Sequence, residues 1–389
     1  MQNEQLVAKL KDKRLRIRLK SLKNLFANKE NEKSPIERAR NANIHYVFRT
    51  VYSCFDRTAS FSVYYADKFD IPLTAIVDYA SLSSSEELIK AEKMTGGLYY
   101  CGAEVYAKND NGEKVVLSAL GVPHCNLKKF NDALAPYRIK RFQYTNALRE
   151  KLNAKFKKYS LSLPYDFWSF FGAVKTTSLE DLYVNLADKI TKKFSSGEEI
   201  INFLTTELNF ELTEDEIKKL SDISNLLYVV DLAFALFNHL KIKVTDENLN
   251  NANEFISLCN NFGSISSLIY RGGDINQFIE NAKKLKVNSA VLPFTKANES
   301  KMEEFYDLCI SAGILPLVRT VISHPRNLLD SIFSSEELAE KYNETALCIV
   351  GHEISSSINP EDGMFSPSTI EKFPTLEERI KIFSRIKKA

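Results

Sequence analysis

Apolar residues in the first 26 positions recur at helical spacing: Leu6, Leu10, Leu15, Leu19, Leu22, Leu25 and Phe26. Lysines and arginines fill the gaps, so the pattern predicts an amphipathic helix with one strongly basic face. The polar stretch "ANKENEKSP", closed by Pro35, ends it. From residue 40 to about 125 the pattern becomes an alternation of short apolar runs and helical periods. "NIHYVF" predicts a strand, "TASFSVYYADKF" a helix, "PLTAIVD" a strand and "SSEELIKAEKM" a helix opened by a capping box of Ser84 and Glu87. "GLYYCGAEVYA" and "KVVLSALGVPH" predict two strands joined at Asn111-Gly112, a strong turn dipeptide.

Residues 126–250 change character. "LKKFNDALAPYRIKRFQYTNALREKLNAKFKKY" and the segments after it are helical in period, with Thr213 and Glu216 as a capping box. They predict an all-helical insertion. Alternation resumes after Asn251: "SISSLIY", "NSAVLPF" and "GILPLVRTVIS" predict strands separated by helices. "TALCIVGHEISS" predicts one more strand and loop, and "TLEERIKIFSRIKK" a closing helix capped by Thr375 and Glu378. The chain therefore reads as a basic N-terminal helix and linker (1–39), a first α/β block (40–125), a helical insertion (126–250) and a second α/β block (251–389). Repeated β-α units argue for a parallel sheet, open or closed into a barrel.

Composition narrows the function classes. Of 389 residues, 44% are hydrophobic and 26% charged, the balance of an ordinary globular protein. Lys+Arg number 52 against Asp+Glu 50, so no overall field draws the chain to nucleic acid or membrane. The basic face of the N-terminal helix is the one local exception, open to a nucleic-acid contact or a membrane surface as well as to plain solvation. The six cysteines include no C-x-x-C pair, which argues against a zinc knuckle or a thioredoxin motif. Scattered thiols, no signal-peptide pattern and no membrane-length apolar run predict a cytoplasmic protein.

In parallel α/β folds the chemistry sits at the carboxyl ends of the strands. Polar residues expected there are His45, Asp78, Glu104, His124, His324 and His352. The chain has only five histidines, and four of them fall at predicted strand ends. Histidine and carboxylate are the types that bind metals and move protons. "TAIVDYASLSS" breaks from a strand at Asp78, yet Tyr79 and Ala80 beside it are poor metal ligands. "YRGGDINQF" reads as a plain glycine turn before a helix.

The stretch from "NIHYVFRTVYSC" through "VDYASLSS" to "CGAEV", with "GVPH", "GHE" and "LEERIKIF" further on, resembles the polymerase-and-histidinol-phosphatase (PHP) superfamily over residues 40–389. The resemblance implies a distorted (β/α)7 TIM-like barrel with an all-helical insertion, with metal ions at the strand carboxyl ends and phosphoester hydrolysis in active members. The family's His-x-His stands here as Asn43-Ile44-His45, and its Asp-His-Asp as Asp78-Tyr79-Ala80. Gly-x-Glu is kept as Gly102-Ala103-Glu104, and a later histidine as His124. Asp-x-His falls on Val321-Ile322-Ser323, with His324 next to it.

Metal-assisted hydrolysis needs an ion that acidifies a bound water and usually a second that holds the leaving oxygen. The residues kept, His45, Glu104 and His124 as ligands with Asp78 to orient water, suffice for one zinc, manganese or iron ion and not for a cluster. Two readings follow. In the first the barrel is a non-catalytic binder of a phosphorylated or anionic ligand, or of a protein partner. Arg319, Arg326 and Arg49 would hold the anion, helped by His324 and His352. In the second a single-metal phosphoesterase survives, with Asp78 and His124 as its catalytic pair.

Overall fold

The computed structural model describes residues 2–27, 34–40, 42, 45–53, 57–95, 97–164, 179–225, 227–242, 244, 248–322, 333 and 335–386. The chain divides into two compact units. The first comprises Met1–Tyr52, Asp56–Arg138 and Leu249–Ala389; the second comprises Ser53–Phe55 with Ile139–Asn248.

The first unit holds a mixed sheet. Its strands are β1 (Tyr46–Phe48), β2 (Leu73–Tyr79), β3 (Leu98–Lys108), β4 (Lys114–Leu120), β5 (Asn250–Asn251), β6 (Ile265–Ile269), β7 (Ser289–Pro293) and β8 (Leu315–Ile322). Pairing runs β2-β1-β8-β7-β6-β4-β3, and β2 pairs with β3, so seven strands close into a barrel; β5 only extends the edge of β3. Closure leaves no exposed edge among the seven.

The expectation of an all-parallel sheet needs one correction. β4 runs antiparallel to both β3 and β6, while the other barrel pairs are parallel. The Asn111-Gly112 turn causes this, because a tight hairpin can only reverse the chain. Gly112 takes the positive φ of 79° that such a turn demands. The reversal carries whatever follows β4 towards the amino ends of its neighbours.

Strand periodicity sorts the core into two layers. Val47, Ala75, Val77, Tyr100, Val116, Ile269, Val291 and Leu317 belong to one cluster, which fills the barrel. Alternate residues such as Phe48, Ile76, Cys101, Leu117, Leu268 and Val318 belong to the other, which packs against the surrounding helices. The first cluster also takes in Ala346, Leu347, Ile349 and Val350 from the helix Glu336–Ile358. "TALCIVGHEISS" is therefore helix, not the strand and loop expected. Ala346 to Val350 are all buried, so this turn shows no polar face to betray its period.

The N-terminal region belongs to this unit. Helix Leu15–Phe26 turns Leu22 into the core, with Leu19, Leu25 and Phe26 packed against it. Arg18 forms a buried bidentate pair with Glu87, Nε to Oε1 at 2.8 Å and Nη2 to Oε2 at 2.5 Å. Glu87 also accepts from Ser60 N and Oγ, and Ser84 Oγ donates to Asp78. The capping box expected of Ser84 and Glu87 thus has both side chains engaged elsewhere.

The described part of the second unit is helical, including Leu179–Lys193, Glu214–Ser221 and Tyr228–Leu240. Its own core gathers Leu152, Phe156, Leu182, Leu186, Leu204, Leu232 and Leu236. The Thr213–Glu216 capping box is present here, and the Thr375–Glu378 box is present in the first unit. No helix among the described residues is long and apolar enough to cross a membrane.

Candidate functional site

Three charged side chains meet inside the barrel. Glu104 lies on β3 in step with Gly102, where a Cβ would run into the carbonyl oxygen of Ala119 on β4, so only glycine lets the two strands approach. Arg49 follows β1, in step with the inward-facing Val47, and Arg319 lies on β8, in step with the inward-facing Leu317. Arg49 Nη2 donates to Glu104 Oε1 at 2.6 Å and Arg319 Nη2 to Oε2 at 2.5 Å. All three are buried. Burial alone pushes the Glu104 carboxyl up, but the two guanidiniums overcome this and hold it below the ordinary value. Burial pushes Arg319 down, opposed by its attraction to Glu104.

The trio carries one net positive charge, and further contacts fix it. Arg49 Nη1 donates to Val77 O at 2.5 Å, and its guanidinium lies 4.1 Å from the centre of the Tyr79 ring. Tyr79 in turn stacks on Tyr106 at 6.0 Å. Arg319 Nη1 reaches Ser118 Oγ, the residue paired with Glu104 across β3 and β4. Tyr79 thus backs an arginine. Below the trio, the void lined by His45, Tyr100, Leu317 and Arg319 is about 10 Å³, room for one water and no substrate.

Asp78 points the other way along the same strand. It accepts from Thr50 N and Thr50 Oγ1, both at 2.7 Å, and from Ser84 Oγ at 2.8 Å. Three donors tie the end of β1 to the loop after β2, a joint rather than a free base. Ala80 follows with φ at 47°, a strained value for a residue with a Cβ, and its amide donates to Glu104 O.

The histidines lie elsewhere. His45 precedes β1, at the strand's amino end, and Nε2 donates to Asn343 Oδ1 at 2.6 Å. Asn343 Nδ2 donates to Arg40 O and Ala42 O, which fixes the amide so that Oδ1 faces the ring. Burial pushes His45 down to about 4. His124 follows the antiparallel β4 and is carried to the same end, where Nε2 donates to Glu353 Oε1 at 3.0 Å. His352 sits on the helix Glu336–Ile358; Nε2 donates to Gly263 O and Nδ1 accepts from Met364 N. Burial pushes it too down to about 4.

His45, Glu104 and His124 each bond to other partners, and the structure does not bring the three together. Among the described residues no three His, Cys, Asp or Glu side chains stand where they could share an ion. The described residues do not fit a metal centre: Glu104 is taken by cations, His45 and His124 by neighbouring side chains, and His352 by backbone groups. His352 is not at a strand end, and His324 and Arg326 lie outside the described residues. Sequence reading overlooks Asn343, which carries no motif, and Glu353, which stands next to His352 in "GHE", and it undervalues Arg49. The parity of Val47 and Arg49 was the available signal.

No known protein-family profile and no curated protein matches the chain. Solved structures do. One is a proposed metal-dependent phosphoesterase from Bifidobacterium adolescentis, 14% identical, with a TM-score of 0.50 over 79% of this chain and 97% of that one. Another is an amidohydrolase from Chromobacterium violaceum with bound sulfate and no metal, 13% identical, with a TM-score of 0.52 over 77% of this chain and 97% of that one. At this distance the likeness is one of fold: an α/β barrel of the TIM-like kind, shared with hydrolase structures.

Proposed function

We propose that this chain is a divergent PHP-superfamily protein whose barrel binds a phosphorylated or otherwise anionic small molecule and does not hydrolyse it by the two-ion route. One observation supports this above the others: both oxygens of Glu104 are held by arginines. A divalent ion would have to displace a guanidinium and then sit beside two cations. Unit charges about 4 Å apart repel by about 4 kcal/mol at an effective dielectric of 20. An anion entering from the carboxyl ends of the strands meets the opposite field. Arg319 and Arg49 are its proposed partners in the barrel, and Arg326 and His324 join them on sequence grounds alone. The free thiols at Cys101, Cys125, Cys259, Cys309 and Cys348 support a reducing, cytoplasmic setting.

Two measurements test this together. Inorganic phosphate and a panel of sugar phosphates are titrated calorimetrically into wild type and Arg319→Gln. The reading expects saturable heat in the wild type, weakened at least about tenfold in the variant, as loss of a charge-assisted pair implies. Absence of saturable binding in the wild type would sink the binder. Turnover of 4-nitrophenyl phosphate with added manganese is then compared between wild type and Glu104→Gln. A rate that vanishes in the variant would restore the single-metal hydrolase.

A further inference from the structure

The basic N-terminal region, expected as one helix, is two, Gln2–Lys9 and Leu15–Phe26, joined at an elbow apart from the Arg49–Glu104–Arg319 trio. Between Lys9 and Lys23 the chain holds eight Lys or Arg and a single acid, Asp12. On helix Leu15–Phe26 the exposed Arg16, Lys20 and Lys23 fall at i, i+4 and i+7, one stripe along one face. Lys9, Lys11, Lys13 and Arg14 are exposed at the preceding turn, with Arg14 paired to Asp12 and Lys11 over the Phe61 ring. The opposite face is used up: Leu22 is in the core and Leu19, Leu25 and Phe26 pack on it.

The elbow is also held in place. Besides Glu87, Arg18 donates through Nη1 to Asp12 O at 2.7 Å and Lys13 O at 3.0 Å, bracing the turn from inside. Thr58 Oγ1 donates to Leu10 O at 2.6 Å. The cations are thus displayed on a fixed frame, with little order left to impose on binding.

We propose that this elbow is a nucleic-acid contact that grips the phosphate backbone without reading bases. A row of cations with almost no acid among them complements a polyanion. A membrane-surface helix would need a free apolar face to sink into the lipid boundary, and here that face is buried in the protein. Lysine and arginine without exposed aromatic neighbours on the stripe suit phosphates rather than stacked bases.

The test uses the full chain and fluorescence anisotropy with a labelled 20-mer, single-stranded and duplex, from 50 to 200 mM salt. The comparison is wild type, a variant with Lys9, Arg16, Lys20 and Lys23 each changed to Ala, and a control with Lys283, Lys284, Lys372 and Lys381 each changed to Ala. Four phosphate contacts predict roughly a hundredfold loss of duplex affinity over that salt range, and a salt slope lower by about 3 to 4 in the elbow variant. The control should bind like wild type. No binding at 50 mM salt, or equal loss in both variants, would overturn the proposal. So would binding to phosphatidylserine-containing vesicles without binding to either oligonucleotide.

Discussion

The two ends of the barrel differ in how they hold charge. At the carboxyl end, Glu104 is clasped by Arg49 and Arg319, and Asp78 is tied to Thr50 and Ser84. No histidine of the described residues stands there. At the amino end, His45, His124 and His352 bond to Asn343, Glu353 and Gly263. At the first end the carboxylates and guanidiniums are buried against one another or against hydroxyls; at the second, burial holds the rings of His45 and His352 neutral. Among the described residues, the histidines and the Glu104 carboxylate stand at opposite ends, and the one carboxylate beside a histidine is Glu353, bonded to His124.

The sharpest way to break this comparison is to remove the shared carboxylate. Glu104→Leu leaves two buried guanidiniums uncompensated, and the expected loss is about 3–5 kcal/mol in urea unfolding. A loss below 1 kcal/mol would mean that the trio is not buried as a unit. The histidine end should respond to pH instead. His45 and His352 hold values near 4 in the fold against 6.5 for the free side chain. Between those values the unfolded chain binds the protons, so stability rises with pH. It is complete above 6.5 and is lost as pH falls towards 4, by about 3 kcal/mol per ring. The double variant His45→Gln, His352→Gln should flatten that slope, whereas the Glu104 contribution persists until the acid range below the ordinary carboxyl value. An intermediate effect is expected of Asp78→Asn, about 1–3 kcal/mol, because an amide cannot accept all three donors. His124→Ala should cost the least, about 1 kcal/mol or less, since its ring is a third exposed.

Much of the fold was legible in the sequence and the site less so. Strands with clear apolar runs, the Asn111-Gly112 turn and the Thr213 and Thr375 caps are local features set by local chemistry. Helix Glu336–Ile358 is hard to recognise from sequence because its middle turn is buried and apolar all round. The end at which His124 falls depends on the Asn111-Gly112 hairpin reversing β4, which the strand pattern alone does not show. Arg49 and Glu104 are 55 residues apart, and nothing local marks a cation as the partner of a carboxylate across a barrel. The motif likeness points to histidines, while in the structure it is arginines that bond to Glu104.

The most direct measurement is the metal content of the protein purified from its own cells without chelator, read by mass spectrometry alongside Glu104→Gln. With Glu104 held by Arg49 and Arg319, both preparations should carry the same small, substoichiometric background of zinc, manganese and iron. One or more ions per chain in the wild type, lost in the variant, would contradict it.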